Sequence, residues 1–165
     1  MTTGDLEPAS VRDEVVWFLD MTFASWNWAH KSLRAALKDL TVPEAVWRMG
    51  PHTHSVWEQI NHVAYWKRWI LLRVRGRRPR SRQAWPPAGR TAAGLRRSIT
   101  GVRRLHEDLR AAILNIDPKT FARSRRGKYS LARLLTGATA HDCYHIGQIL
   151  LTRKLYRNAK RRRHS

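Results

Sequence analysis

Two histidines near the end of the chain have a spacing that suits metal binding. His141 and His145 lie four residues apart in the segment A-H-D-C-Y-H-I-G-Q. In a helix, their imidazoles would project from one face, one turn apart. Apolar residues recur around them at three- and four-residue steps, which predicts a helix that begins after Ser130. This histidine pair is a familiar divalent-metal motif, and ordinary hydrogen-bonded core histidines are the alternative interpretation.

A third metal ligand has to come from another helix, and His62 is the strongest candidate. Ser55 and Glu58 match a capping box that opens the helix carrying His62, with Trp66 and Trp69 close behind it. Three neutral imidazoles leave a divalent ion at least one position for water or substrate, as in catalytic sites. Such an ion can activate a bound water or thiol as a nucleophile. The alternative is an ion that only joins helices.

Other side chains close to the histidines have less certain roles. Asp142 follows His141 and points about 100° away around the helix, so we interpret it first as a surface or interface acid and second as support for a ligand. Gln148 could hydrogen-bond a ligand or pack in the bundle, and Cys143 shares neither histidine's face. The sequence singles out no catalytic residue. The candidate walls of a substrate cavity are His30, Trp66, Trp69, Tyr144 and Gln148.

Four long amphipathic segments must position these residues. Their predicted bounds are 10–39, 55–76, 91–116 and 130–156. Long connections and the lack of a convincing strand pair predict an all-α four-helix bundle. The bundle is predicted to form a single domain over residues 1–156. Residues 157–165 are strongly basic and are predicted to be a disordered tail.

Shorter elements are predicted between the long helices. Thr41 and Glu44 match a second capping box, which predicts a short helix over Ala45–Arg48. A further short turn is predicted from Asp117 through Phe121. The segment 77–90 contains three prolines, so we expect an irregular, exposed loop that could lie over a site.

Positive charge is the most unusual property of the composition. The chain has 32 Lys and Arg against 12 Asp and Glu, and the first 66 residues hold five basic and eight acidic side chains. The excess therefore lies in the second part, in clusters at 73–82, 123–128 and 153–164. Such runs are usually solvated, but they attract nucleic acid or anionic ligands without specificity. Arginines such as Arg68 or Arg125 could draw an acidic thiol towards the metal.

Cysteine usage and hydropathy indicate where the protein works. Cys143 is the only cysteine, which excludes an internal disulfide and fits a reducing compartment. No apolar run reaches the roughly 18 residues that a membrane span needs, and the polar start is not a signal peptide. We therefore expect a cytoplasmic protein with no membrane partner.

Four motifs together resemble the DinB-like superfamily of DinB/YfiT-type metal-dependent proteins, over most of residues 10–156. They are W-N-W-A-H-K-S-L, H-S-V-W-E-Q-I-N-H-V-A-Y-W, Q-A-W-P-P and H-D-C-Y-H-I-G-Q-I-L-L. The resemblance implies an up-down-down-up bundle, often a homodimer, in which His62, His141 and His145 bind a divalent ion, commonly zinc or nickel. It also implies that the metal activates a low-molecular-weight thiol for transfer or isomerisation. The heavy positive charge departs from the family.

Two classes of function follow from these observations. The first is a metal-dependent transferase that activates a low-molecular-weight thiol, or a hydrolase that activates water, acting on a small-molecule substrate. The alternative is a nucleic-acid-associated basic protein with a structural or vestigial metal site. The sequence has no helix-turn-helix or zinc-finger spacing, and charge alone predicts only weak, non-specific nucleic-acid binding. We therefore favour the enzyme.

Overall fold

The computed structural model describes residues 10–24, 31–80, 83–121 and 129–163. Within these ranges the chain forms seven α-helices and no β-strand, which confirms the all-α class. The helices are α1 (Val11–Phe23), α2 (Leu33–Ala36), α3 (Val42–Val46), α4 (Val56–Val74), α5 (Ala92–Leu114), α6 (Pro118–Phe121) and α7 (Leu131–Arg162). None of the described helices has the length and apolar character to cross a bilayer.

Hydroxyl side chains cap the four long helices α1, α4, α5 and α7 where the sequence predicts their starts. In each helix the capping oxygen accepts a hydrogen bond from the backbone N–H three residues later. The caps are Ser10, Ser55, Thr91 and Ser130. At α4 the capping box is complete, because the Glu58 carboxylate also accepts from the Ser55 backbone N–H at 2.9 Å. The chain leaves α4 at Gly76, whose φ of 73° lies in the left-handed region that favours glycine.

The prediction of one continuous helix from Ser10 to Asp39 is wrong. The first helix ends at Phe23, and α2 begins only at Leu33. Ser32 has an extended backbone with φ −64° and ψ 163°, and its side chain accepts from the Ala35 N–H. A residue in this conformation starts a new helix and cannot continue an old one, although the apolar stripe runs through the break.

The capping box predicted at Thr41 is also wrong. The short helix α3 lies at Val42–Val46 instead of 45–48, and Thr41 makes no side-chain cap. The Glu44 carboxylate would have to reach back to Thr41, but it is buried and accepts hydrogen bonds from Arg153 and Arg157 of α7. A distant pair of cations therefore takes the place of the local cap.

The last helix is longer than predicted. It continues beyond Tyr156 to Arg162, so residues 157–162 of the predicted disordered tail are helical. Lys160, Arg161 and Arg162 lie in the last turn, where positive side chains offset the negative end of the helix dipole. The final two residues, His164 and Ser165, lie outside the described part of the chain.

Among the described residues, the core consists of two apolar clusters with buried polar residues between them. One cluster joins α2 and α3 to the first halves of α4 and α5 and to the second half of α7, around Trp57. The other joins α1 and α6 to the opposite halves of the same long helices, around Leu109. Between the clusters, these helices bury Lys67, His106 and Asp142. The polar layer lies at the level of the histidines that the sequence predicts as ligands.

Candidate metal centre

The structure brings together the three histidines that the sequence predicts as ligands. His62 projects from α4, and His141 and His145 project from α7, which packs against α4. The Nε2 atom of His141 lies 3.1 Å from Nε2 of His62 and 3.2 Å from Nε2 of His145. One ligand atom from each residue lies within 4.8 Å of the other two.

This arrangement fits a divalent transition metal. Bonds of about 2.0–2.1 Å at tetrahedral angles place two ligand nitrogens about 3.3 Å apart, close to the two observed Nε2 separations. Three imidazoles are donors that suit zinc, nickel, copper or iron. The side chain of His141 is 30% exposed while His62 and His145 are buried, so solvent reaches the cluster on the His141 side.

Two residues of the loop after α4 orient His62. The Nδ1 atom of His62 lies 2.7 Å from the Ala84 carbonyl, so its N–H donates there and Nε2 keeps the lone pair that a metal needs. The indole of Trp85 stacks on the His62 imidazole at 3.7 Å between ring centroids. The same indole stacks against His54 at 3.6 Å. The loop therefore holds both the tautomer and the plane of one ligand.

Burial keeps two of the imidazoles neutral. It lowers the pKa of His62, and it lowers the pKa of His145 to about 4, with the neighbouring His141 acting in the same direction. Both side chains are therefore uncharged near pH 7. A neutral imidazole is the form that donates its lone pair to a metal.

Asp142 is not the surface acid that was our first interpretation. It is 4% exposed, and its Oδ2 atom lies 2.5 Å from the Nζ atom of Lys67, which is equally buried. Its Oδ1 atom lies 3.8 Å from Nδ1 of His141. Burial raises the pKa of Asp142, but the charge and hydrogen bond of Lys67 together with the contact to His141 outweigh burial and hold that pKa below its usual value. The resulting ion pair joins the two ligand-bearing helices directly behind His141.

The predicted cavity residues have different positions. Trp66 lies edge-on to His62 and His141, with ring centroids 6.2 and 6.0 Å away, so it borders the cluster. Trp69 contacts Trp66 at 5.7 Å but lines a separate groove on α4. Tyr144 is 62% exposed beside the cluster, and its hydroxyl accepts from Gln148 at 2.7 Å.

Three further residues from the sequence analysis lie away from the cluster or outside the described ranges. His30 and Arg125 lie outside the described residues. Cys143 faces α1, with its Sγ atom 3.5 Å from the Thr22 hydroxyl.

Sequence reasoning missed Lys67 and Trp85. Lys67 falls four residues after Val63 on the apolar stripe of α4, and a lysine in such a stripe signals a buried ion pair. Trp85 lies in a proline-rich loop that was predicted to be exposed. A large aromatic residue there indicates that the loop packs onto something, but the partner is not identifiable from the sequence.

Comparison with known proteins places the chain in a family. A search of curated proteins gives no match, and a search of solved structures gives none either. Residues 25–149, which include all three histidines, match the profile of the DinB superfamily. Because this match covers most of the chain and confirms the resemblance carried by its motifs, the protein belongs to the DinB superfamily.

Proposed function

We propose that the protein binds one divalent ion, zinc or nickel, through His62, His141 and His145 and uses it in catalysis on a small molecule. The observation that carries this proposal is the convergence of three imidazole nitrogens from two helices, at 3.1 and 3.2 Å. Structural zinc sites are usually closed by four protein ligands, whereas three ligands leave an open position. The exposure of His141 supports an open position that faces solvent.

The proposed reaction is transfer of a low-molecular-weight thiol to an electrophilic substrate, or hydrolysis by water. A divalent ion with an open position supplies Lewis acidity, which lowers the pKa of a thiol or water that joins it. The chain holds the ligands in place through the Ala84 carbonyl at His62 and the Lys67–Asp142 pair behind His141. Trp66 and Trp85 lie against His62 and form apolar walls beside the histidine cluster, which suit an apolar electrophile.

The assembly is part of the same proposal. We infer a cytoplasmic homodimer of up-down-down-up bundles, formed by α1, α4, α5 and α7, with residues 1–156 as its domain. Support for a dimer comes from the exposed face of α7, where Tyr144, Leu151 and Leu155 follow one another at helical spacing. A partner on this face would lie beside His145, because Tyr144 borders it.

Non-specific nucleic-acid binding stays a prediction from charge alone. The described contacts do not favour it, since Arg153, the first residue of the last basic cluster, is buried and paired with Glu44. The metal-dependent reaction is therefore the function that the geometry supports best.

A turnover screen tests the proposed reaction. Metal-loaded protein is mixed with small thiols and electrophilic acceptors, and separately with activated esters, and product is followed by mass spectrometry. We expect turnover that is lost on chelation and in His141→Ala/His145→Ala but kept in His52→Ala, which changes an exposed loop histidine.

One combination of results contradicts a catalytic role for the metal. If no pair of reactants shows metal-dependent turnover, while chelation strongly lowers the thermal stability, the ion only joins helices.

A further inference from the structure

A groove separate from the histidines lies along α4, between this helix, the loop that follows it and α5. Its volume is about 530 Å³, within the range of small-molecule sites. We propose that this arginine groove, with Tyr65, Trp69 and Leu72 on its floor and Arg68, Arg78 and Arg80 around it, binds a small organic anion. The anion would have a flat apolar body, as an aryl carboxylate or aryl sulfonate has.

The charge of the groove favours an anion. Arg68, Arg78 and Arg80 are exposed, and among the described residues no acidic side chain lines the groove with them. Within the described ranges, none of the three forms an ion pair, unlike Arg48 and Arg110 elsewhere on the surface. Guanidinium groups bind carboxylates and sulfonates through paired charge-assisted hydrogen bonds. Three of them around one concave surface therefore favour an anionic group over a cation or a neutral polar ligand.

The floor of the groove favours a flat apolar body attached to that anion. The Trp69 indole is half-buried and is held by Trp66, edge-on at 5.7 Å, and by the Arg73 guanidinium, 5.6 Å from its centroid. Leu72 and Leu105 continue the apolar surface. An aromatic ligand would bury this surface, whereas inorganic phosphate or a nucleic-acid backbone would leave it wet.

Contacts with α4 hold the described part of the wall opposite this helix. Asn61 donates its amide N–H to the Pro87 carbonyl at 2.9 Å, and His62 holds the Ala84 carbonyl at 2.7 Å. Further along the loop, Gly89 lies so close to Trp57 that a Cβ atom would be 2.8 Å from the indole. A pre-formed wall lowers the ordering cost of binding.

This inference goes beyond the proposed function because the groove does not contain the metal ligands. Asn61, which lines the groove, is the neighbour of His62 in α4. The segment 84–87 contacts both, through Ala84 at His62 and Pro87 at Asn61. Replacement of His141 and His145 keeps His62 and its contact with Ala84, so it should leave the groove intact. The two proposals can fail independently.

Titration with 1-naphthalenesulfonate, followed by its fluorescence and by calorimetry, tests the groove. We expect saturable one-to-one binding, with 1-naphthalenemethanol and inorganic sulfate each at least about tenfold weaker. Arg68→Gln/Arg78→Gln should weaken sulfonate binding about tenfold or more, and Trp69→Leu several-fold. Arg96→Gln, an exposed charge change on α5 outside the groove, should alter the affinity less than about twofold. His141→Ala/His145→Ala should bind as tightly as the wild type.

Several results would overturn the proposal. Equal binding of the neutral alcohol would show that the arginines do not recognise the ligand, and equal weakening by Arg96→Gln would show only the general positive field. Loss of sulfonate binding in His141→Ala/His145→Ala would show that the probe binds at the three histidines and not in the groove. Another contrary result is that a short DNA duplex displaces the naphthalenesulfonate, with the affinity for DNA falling equally in Arg68→Gln/Arg78→Gln and Arg96→Gln. That result would show that this surface binds polyanions in general and not a small organic anion.

Discussion

At the scale of single residues, the histidine spacing that predicted the candidate site is a local feature of one helix. The contacts that orient His62 are long-range. A four-residue spacing on one helix fixes the relative position of His141 and His145, so the proximity of their imidazoles was predictable. The contacts of His62 with Ala84 and Trp85 depend on a loop that returns to the helix more than 20 residues later. No periodicity encodes such a return, and the sequence predicted only that this loop could lie over a site.

The contacts of His106 were likewise not predictable from the sequence, and its titration provides a test of the structure. It is 4% exposed, stacks on Phe23 at 4.0 Å, and its Nε2–H donates to Asp20 at 3.2 Å. Burial, followed by the positive charge of Lys67, lowers its pKa from 6.5 to about 4, although Asp20 and Asp142 act in the opposite direction. The folded protein therefore keeps this imidazole neutral at a pH where the unfolded chain protonates it.

We predict that acidification destabilises the protein through His106. Between about pH 6.5 and pH 4 the unfolded state binds the proton and the folded state does not, so stability is complete above this window and falls as the pH is lowered through it. The loss from this residue between pH 7.5 and pH 5 should be about 2 kcal/mol. Urea unfolding at both pH values measures it, and His106→Gln should reduce the pH dependence by that amount.

The comparison of the wild type with His106→Gln isolates the contribution of His106 to the pH dependence of stability. His62 and His145 contribute to that pH dependence in the same direction in both proteins. An unchanged pH dependence in His106→Gln, or an NMR titration that shows His106 protonated at pH 6, would contradict this account.

At the scale of elements, a buried cation joins α7 to the short helices. The Arg153 guanidinium donates to Glu44 at 2.9 and 3.2 Å and also to the carbonyls of Ala36, the last residue of α2, and of Lys38 just beyond it. It satisfies carbonyls that α2 leaves without intrahelical partners. In the sequence, Arg153 looks like the first residue of a solvated basic run, and only the packing of α2 on α7 and the contact with Glu44 distinguish it from its neighbours.

We predict that Arg153→Met lowers the free energy of unfolding by about 3–5 kcal/mol, because it leaves the buried Glu44 carboxylate without its main partner. The matched control is Arg157→Met, which removes the same charge from a side chain that is 56% exposed. It should cost less than about 1 kcal/mol. Urea denaturation of the two variants makes the comparison, and equal losses would show that Arg153 acts only through net charge.

Helix starts were more predictable than helix ends. The caps at Ser55, Thr91 and Ser130 depend on residues three positions apart, and local sequence contains that information. The apolar stripe contains neither the break at Ser32 nor the extension of α7 to Arg162, so it predicted the first helix too long and the last too short.

At the scale of the whole molecule, a layer of buried polar side chains separates the two apolar clusters of the described helices. Binary patterning predicted the all-α class because long 3.6-residue periodicities leave few alternatives. It did not predict that Lys67, His106 and Asp142 would be buried at one level between two apolar clusters. The ion pair and the histidines at that level join α4 to α7 and α1 to α5, so the polar layer is the part of the core that supports the three-histidine cluster.

Metal analysis of protein purified without a nickel column tests the central claim most directly. Plasma mass spectrometry of wild type, His141→Ala/His145→Ala and His52→Ala gives the ions per chain, with circular dichroism to confirm that each variant is folded. The account predicts about one divalent ion per chain in the wild type and in His52→Ala, and almost none in the double variant. A folded double variant that keeps its full metal content would contradict the assignment of the site to these histidines.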